Sequence, residues 1–233
     1  IENCKAWGAQ DDYITVHGTH LRIIKKNERK KTITVRFMHP ESWGFQAFEE
    51  GDELEFIKWD TLKPYAETKV VAYEKLNETD IRLMLDRPLP PLEKGRDVVE
   101  NATWTPNLYV RNCDFGPTEG RGILATTRGE VIIENNTFRN LWGPALLIED
   151  DCNFWFESGY TKSVTFRNNL VENCVIKNTN GGFIIKGGNV TTLERANNIL
   201  RNNDISNYAV ITKTYMPAVE ISGVGNTATN NEI

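Results

Sequence analysis

"RNCDF" at residues 111–115 and "ENNTF" at residues 134–138 are two copies of one pentapeptide. Aligned with "ENCKA" (2–6), "RNNLV" (167–171), "RNNDI" (201–205) and "TNNEI" (229–233), they keep Asn in second place and Asn or Cys in third. The second-place residues Asn112, Asn135, Asn168, Asn202 and Asn230 follow one another at intervals of 23, 33, 34 and 28 residues. Of the 24 asparagines in the chain, 21 lie from Asn101 onward, so the pattern is a property of that region. Units of this length built from short strands bury an apolar face only by stacking on their neighbours, which defines a solenoid. A leucine lattice and a helical period are both absent. Asparagine accepts left-handed turn geometry and can hydrogen-bond to a like residue one rung away, about 4.8 Å off. The fold class expected is therefore all-β, a right-handed parallel β-helix.

The register extends to a second strand. Eleven residues beyond Asn3, Asn112 and Asn135 stand Ile14, Ile123 and Leu146, in the apolar runs "YITVHG", "GILATT" and "ALLIED". "GGFIIKGG" and "PAVEISGV" supply later rungs at offsets lengthened by loops. A different texture interrupts the first rungs. From about Leu21 to Asp86 the runs "TITVRFMH", "ELEFIKW", "KVVAYEKL" and "IRLMLD" alternate with period two and are joined by short polar turns. That pattern predicts antiparallel strands in a small barrel or sandwich. "RPLPPLEKGRD" reads as a linker back, because proline cannot donate to a ladder. The expected organisation is a β-helix over 1–20 and 97–233, with an inserted antiparallel β subdomain and linker over 21–96.

Composition narrows the partners. A net charge of −5 and a pI near 5.4 lack the basic face that a phosphate backbone requires, so no nucleic-acid partner is expected. The basic stretch "LRIIKKNERKKTITVR" reads as a solvated hairpin tip. No apolar run approaches the roughly 18 residues of a membrane span. Cys4, Cys113, Cys152 and Cys174 have no CxxC spacing, so zinc and redox chemistry are not expected; buried free thiols are the simplest reading, and a disulfide is the alternative. The chain starts at Ile1 without a leader-like segment and reads as a piece of a longer one, its address signal absent or removed.

Stacking gives a map of neighbours. At offset nine Asp12 meets Arg121; at offset fourteen His17, Thr126 and Glu149 form a column, with Asp150 and Asp151 just beyond it. One edge then gathers Asp11, Asp12, His17, Arg121, Glu149, Asp150 and Asp151. Two carboxylates held close push one pKa up, leaving an acid beside a base, the arrangement used in glycoside hydrolysis. Inverting hydrolases separate the two by roughly 6.5–9.5 Å, a span of one to two rungs. Simpler readings compete. A DD pair is more often a solvated turn or cap, "IEDDCNFWFESG" suits a calcium loop, and His17 and Arg121 have ordinary structural roles. Phe154, Trp155 and Phe156 in the same run fit a sugar-stacking platform or a hydrophobic patch. With one arginine among five or six acids, the edge favours a neutral sugar over a polyuronate.

The segments "QDDYITVHGTHL", "HPESWGF", "ENATWTPNLYVRNCDFGPTEGRGILATTRGEVIIENNTF" and "ALLIEDDCNFWFESG", in this order, resemble the bacterial α-1,3-galactosidases of glycoside hydrolase family 110. The resemblance spans nearly the whole chain. It implies a parallel β-helix with an inserted barrel and an exo-acting, inverting, metal-independent removal of terminal α-1,3-linked galactose, with no cofactor. It places the catalytic doublet on Asp11, as general acid, and Asp12, as a base activating water. A further base one rung earlier would precede Ile1. Glu149, Asp150, Asp151, His17, Arg121 and Trp155 are the expected sugar contacts. The residue after the doublet, expected to be small, is Tyr13, which bears on pocket size. The expected partner is a galactose-terminated oligosaccharide or glycoconjugate, the expected location secreted or periplasmic, and self-association into a homo-oligomer stays open. The alternatives are a non-catalytic glycan-binding β-helix of the adhesin or tailspike type, and a polyuronate hydrolase or lyase.

Overall fold

The computed structural model describes residues 1–159, 161, 163–172 and 174, and beyond these the strands Phe183–Lys186, Asn198–Arg201, Asp204–Ser206, Val219–Ile221 and Thr227–Thr229. Three sheets of parallel strands form the faces of a solenoid. The pentapeptides build the first: Lys5–Ala6, Asp114–Phe115, Thr137–Arg139, Leu170–Glu172 and Asp204–Ser206 lie side by side, with Lys5 opposite Asp114, Asp114 opposite Thr137, and Thr137 opposite Leu170. The second contains Ile14–Thr19, Ile123–Thr126, Leu146–Glu149, Phe183–Lys186 and Val219–Ile221. Its register sets Ile14 opposite Ile123 and Ile123 opposite Leu146, as the eleven-residue offset predicts. The third runs from Leu108–Arg111 through Glu130–Glu134 and Ser163–Arg167 to the last two rungs, where Arg201 faces Thr229 and so carries the pentapeptide alignment to "TNNEI".

The pentapeptide divides its work by position. Second-place Asn3, Asn112, Asn135 and Asn168 take φ of 57°, 54°, 58° and 54°, the left-handed corner where asparagine is tolerated. The ladder belongs to the third place. Buried Asn169 accepts at Oδ1 from the backbone N–H and the Nδ2 of Asn136, at 2.9 and 3.0 Å, and Asn136 Oδ1 accepts from Cys113 N at 2.9 Å. Fifth-place Phe115 and Phe138 stack at 5.0 Å between centroids, and Phe138 continues to Phe166 at 6.0 Å. The rungs of Asn135 and Asn168 thus each contribute one turn residue, one polar rivet and one core side chain, Phe138 and Val171. Asn136→Ala strands the buried Cys113 N–H and the carbonyl of Val110, so a loss of about 2–3 kcal/mol is expected in urea denaturation. A loss below about 0.5 kcal/mol, the range of ordinary surface substitutions, would contradict the rivet role.

The insertion is a closed six-stranded barrel in the order Leu21–Asn27, Thr32–Phe37, Asp80–Leu85, Pro64–Lys75, Glu53–Ile57, Val98–Asn101. The basic stretch is its first hairpin. Alternation puts Leu21, Ile23, Ile33, Val35, Leu54, Phe56 and Leu83 inside, around Phe48. The closing strand "VVEN" pairs with Leu21–Asn27 and Glu53–Ile57, so the barrel runs to Asn101, past residue 97 where the solenoid was expected to resume. Its short, continuously buried run lacks the alternation that marked the other barrel strands. All four cysteines are free thiols; Cys113, Cys152 and Cys174 are buried and Cys4 is exposed. Among the described residues, no helix is long and apolar enough to cross a membrane.

Candidate active site

Asp11 and Asp12 occupy a bend just ahead of the strand Ile14–Thr19. The bend rests on Gly120 of the next rung: a Cβ there would lie 2.5 Å from the Asp11 carbonyl carbon and the Asp12 nitrogen, so glycine is required for this approach. The doublet's repulsion is relieved by dividing its roles. Asp11 is exposed, and its Oδ1 accepts from the Asp12 N–H at 2.8 Å. Asp12 turns inward, its side chain 5% exposed, and meets Arg121 as the offset predicts. Arg121 donates to Oδ1 from its backbone N (2.7 Å) and to both oxygens from Nε (2.9 and 2.8 Å), while its terminal nitrogen lies 2.6 Å from Oδ2. Tyr13, the next residue, turns into the solenoid, its ring 5.3 Å from Phe115 and its hydroxyl donating to Pro117 O at 2.9 Å. Its bulk is taken up by the core.

His17 faces Thr126 in the predicted column, and Thr126 Oγ1 donates to the Glu149 carbonyl at 3.0 Å. The structure adds a carboxylate to this rim that rung arithmetic does not reach. Glu157–Ser158 pairs antiparallel with the outer edge of Ile14–Thr19, Glu157 opposite Thr19, and Glu157 Oε1 lies 3.8 Å from His17 Nε2. Burial pushes the Glu157 carboxyl above the usual carboxylate range; His17 and Arg121 pull it down, and Asp12 and Asp151 push it up. These charges therefore share one field, the sort of tuned carboxyl that marks acid–base sites. Folded Glu157 keeps its proton to higher pH than the unfolded chain, so its contribution to stability is complete below about pH 4.3 and is lost as pH rises through the folded pKa. Glu157→Gln is expected to gain melting temperature relative to the parent at pH 7 compared with pH 4; a difference that stays constant across that window would contradict it.

The loop delivering Glu157 explains the acidic run. Asp151 receives the backbone N–H groups of Asn153, Phe154, Trp155 and Phe156 at 2.8, 2.9, 2.5 and 3.1 Å, capping a tight turn. Phe156 sits at φ 59°, a strained position for an aromatic, and is held by that cap and by the Arg22 guanidinium 4.9 Å above its ring. Asp150 is buried, with Oδ1 2.7 Å from Nε2 of the fully buried His20. Asp150 and Asp151, expected to hold sugar hydroxyls, are both buried, Asp150 Oδ1 facing His20 and Asp151 capping the turn. Trp155 is 46% exposed and its ring lies 4.5 Å from His39 of the barrel, so the barrel contributes to the aromatic surface. Asp11, Asp12, Arg121, His17 and Glu157 are brought together. Glu157 lies within the quoted run "IEDDCNFWFESG", two residues after Trp155, but its antiparallel return breaks the offset, so rung arithmetic does not reach it.

A carboxylate cluster on a coiled parallel sheet that carries an inserted barrel defines a solenoid protein with a polar rim site. The chain belongs to the right-handed β-helix family: the family model described as right handed beta helix region matches residues 99–233. A second, GLAA-B beta-barrel domain II, matches residues 32–99. The chain is 43% identical over 176 residues to alpha-1,3-galactosidase A of Akkermansia muciniphila, covering 75% of this chain and 29% of that protein. It is 40% identical over 183 residues to alpha-1,3-galactosidase A of Bacteroides fragilis, covering 78% and 30%. It is likewise 40% identical over 169 residues to alpha-1,3-galactosidase B of Bacteroides thetaiotaomicron, covering 72% and 27%. The resemblance to bacterial α-1,3-galactosidases stated from sequence is thus a measured similarity, and the chain spans less than a third of the length of these curated relatives.

Proposed function

We propose that this chain carries part of the active site of an exo-acting glycosidase that hydrolyses terminal α-1,3-linked galactose by single displacement with inversion. The observation that carries the reading is the junction of Asp11, Asp12, Arg121, His17 and Glu157 on one rim, in a chain similar to proteins named alpha-1,3-galactosidase. Asp11, exposed and one residue from its partner, protonates the departing glycosidic oxygen. Asp12 orders and deprotonates water. Its oxygens are filled by Arg121, so docking of sugar hydroxyls on the guanidinium is needed to release a lone pair for that water. His17, Arg121, Glu149 and Trp155 bind the sugar, and Glu157 completes the acidic wall. Arg121 is already neutralised by Asp12, which fits a neutral sugar over a uronate. Galactose-terminated glycoconjugates are met outside the cytoplasm, which fits a secreted or periplasmic enzyme.

The test incubates the intact protein with p-nitrophenyl α-galactoside and an α-1,3-galactosyl disaccharide and follows the first-formed anomer by proton NMR. β-Galactose appearing first supports inversion. α-Galactose appearing first overturns single displacement, and sugar binding without turnover leaves a glycan-binding module in its place.

A further inference from the structure

Beside the rim, where barrel meets solenoid, lies a half-enclosed cavity of about 430 Å³ with Phe45, Gln46, Glu49, Trp104 and His17 in its wall. Its volume falls within the roughly 300–1,000 Å³ of ligand sites. The wall is built rather than incidental. Buried Asp52 gathers the Glu49 backbone N–H at 2.7 Å, the Asn101 amide at 2.7 Å and the Trp104 indole N–H at 3.2 Å. Asn101 in turn donates to Ala47 O at 2.9 Å and accepts from the backbone N–H groups of Thr103 and Trp104, at 2.9 and 3.3 Å. This network fixes the Trp104 ring, 64% exposed, while Phe45, 52% exposed, is held edge-on by Phe37 at 5.2 Å between centroids. No lysine or arginine lines the cavity among the described residues, so its chemistry suits a neutral ligand. His17 joins cavity to rim: it lines the one and stands 3.8 Å from Glu157 on the other.

The geometry points to this cavity as the subsite for the leaving side of the glycan, with the barrel's Phe45 and Trp104 stacking the neutral sugars that precede the terminal galactose and with Gln46 and Glu49 hydrogen-bonding their hydroxyls. It rests on the galactosidase reading and adds a role for the barrel: selecting what the galactose is attached to. Aromatic faces supply area at low entropic cost, and one good ring contact is worth about tenfold in binding.

The test compares Phe45→Ala and Trp104→Ala with the parent in the intact protein. Three probes are used: α-galactosyl fluoride, whose leaving group carries no sugar, the trisaccharide Galα1-3Galβ1-4Glc, and free lactose observed by saturation-transfer NMR. Both variants are expected to lose at least about tenfold more kcat/KM on the trisaccharide than on the fluoride, and to weaken the lactose signal. Equal losses on both substrates, or no loss on either with the lactose signal intact, would overturn the subsite. Melting curves accompany each variant, and if Trp104→Ala unfolds, the half-exposed Phe45→Ala decides alone. Should the parent hydrolyse neither substrate, the galactosidase reading falls, and the lactose arm alone judges the cavity: binding lost on Phe45→Ala upholds it, absent or unaltered binding overturns it.

Discussion

Asp11→Asn in the intact protein is expected to lower kcat/KM on an α-1,3-galactosyl disaccharide by at least about 10², the usual weight of a positioned acid. Asp12→Asn is expected to cost as much or more, since it removes the base and leaves the Arg121 guanidinium without the carboxylate that now takes its Nε and terminal nitrogen. The two losses should separate by leaving group. Fluoride departs without protonation, so α-galactosyl fluoride should recover most of the Asp11→Asn deficit and little of the Asp12→Asn deficit, because water activation is needed for either substrate. Steady-state kinetics on both substrates, with circular dichroism to confirm folding, reads the outcome. Near-normal rates in either variant would remove that residue from catalysis, and equal deficits on both substrates would remove the division of roles.

The largest stability effect is expected at Arg128, on the turn that follows Ile123–Thr126. Its guanidinium bridges the solenoid to two barrel strands, donating to Glu55 at 3.1 and 2.7 Å and pairing with Glu100, whose side chain is 3% exposed. Close by, Glu100 Oε2 lies 4.0 Å from Nδ1 of His20, whose other nitrogen faces Asp150. Arg128→Met would leave buried Glu100 and partly buried Glu55 without their counter-charge, at about 3–5 kcal/mol by urea denaturation. Replacing Arg128, Glu55 and Glu100 together by apolar residues should restore most of that loss, since buried ion pairs are often no more stable than well-packed apolar groups. A single-variant loss under about 1 kcal/mol, the value of a surface pair, would mean the bridge is solvated.

Local repetition made the solenoid legible. The pentapeptide's asparagines announce a corner that only a few residue types tolerate, and once the rungs are aligned, the Asp12–Arg121 contact and the His17–Thr126 column follow by subtraction. The barrel was legible as alternation, except for Val98–Asn101, whose partners are distant strands that no local pattern names. The site was legible where it is in register and not where the chain turns back. Asp151 looks like a surface acid in sequence, yet four backbone N–H groups converge on it in a turn that carries Phe156 at positive φ. Glu157 reaches the rim only through that turn. The cavity wall at Glu49 and Trp104 depends on Asp52, a buried acid between loops about fifty residues apart, and spacing carries no sign of it.

The decisive experiment is a crystal structure of the intact Asp11→Asn protein soaked with an α-1,3-galactosyl disaccharide. The terminal galactose is expected against Asp12, Arg121 and the substituted side chain at position 11, with the glycosidic oxygen within hydrogen-bond reach of that side chain and His17 and Glu157 along the far wall. Sugar bound elsewhere on the solenoid, with this rim left to solvent, would contradict it.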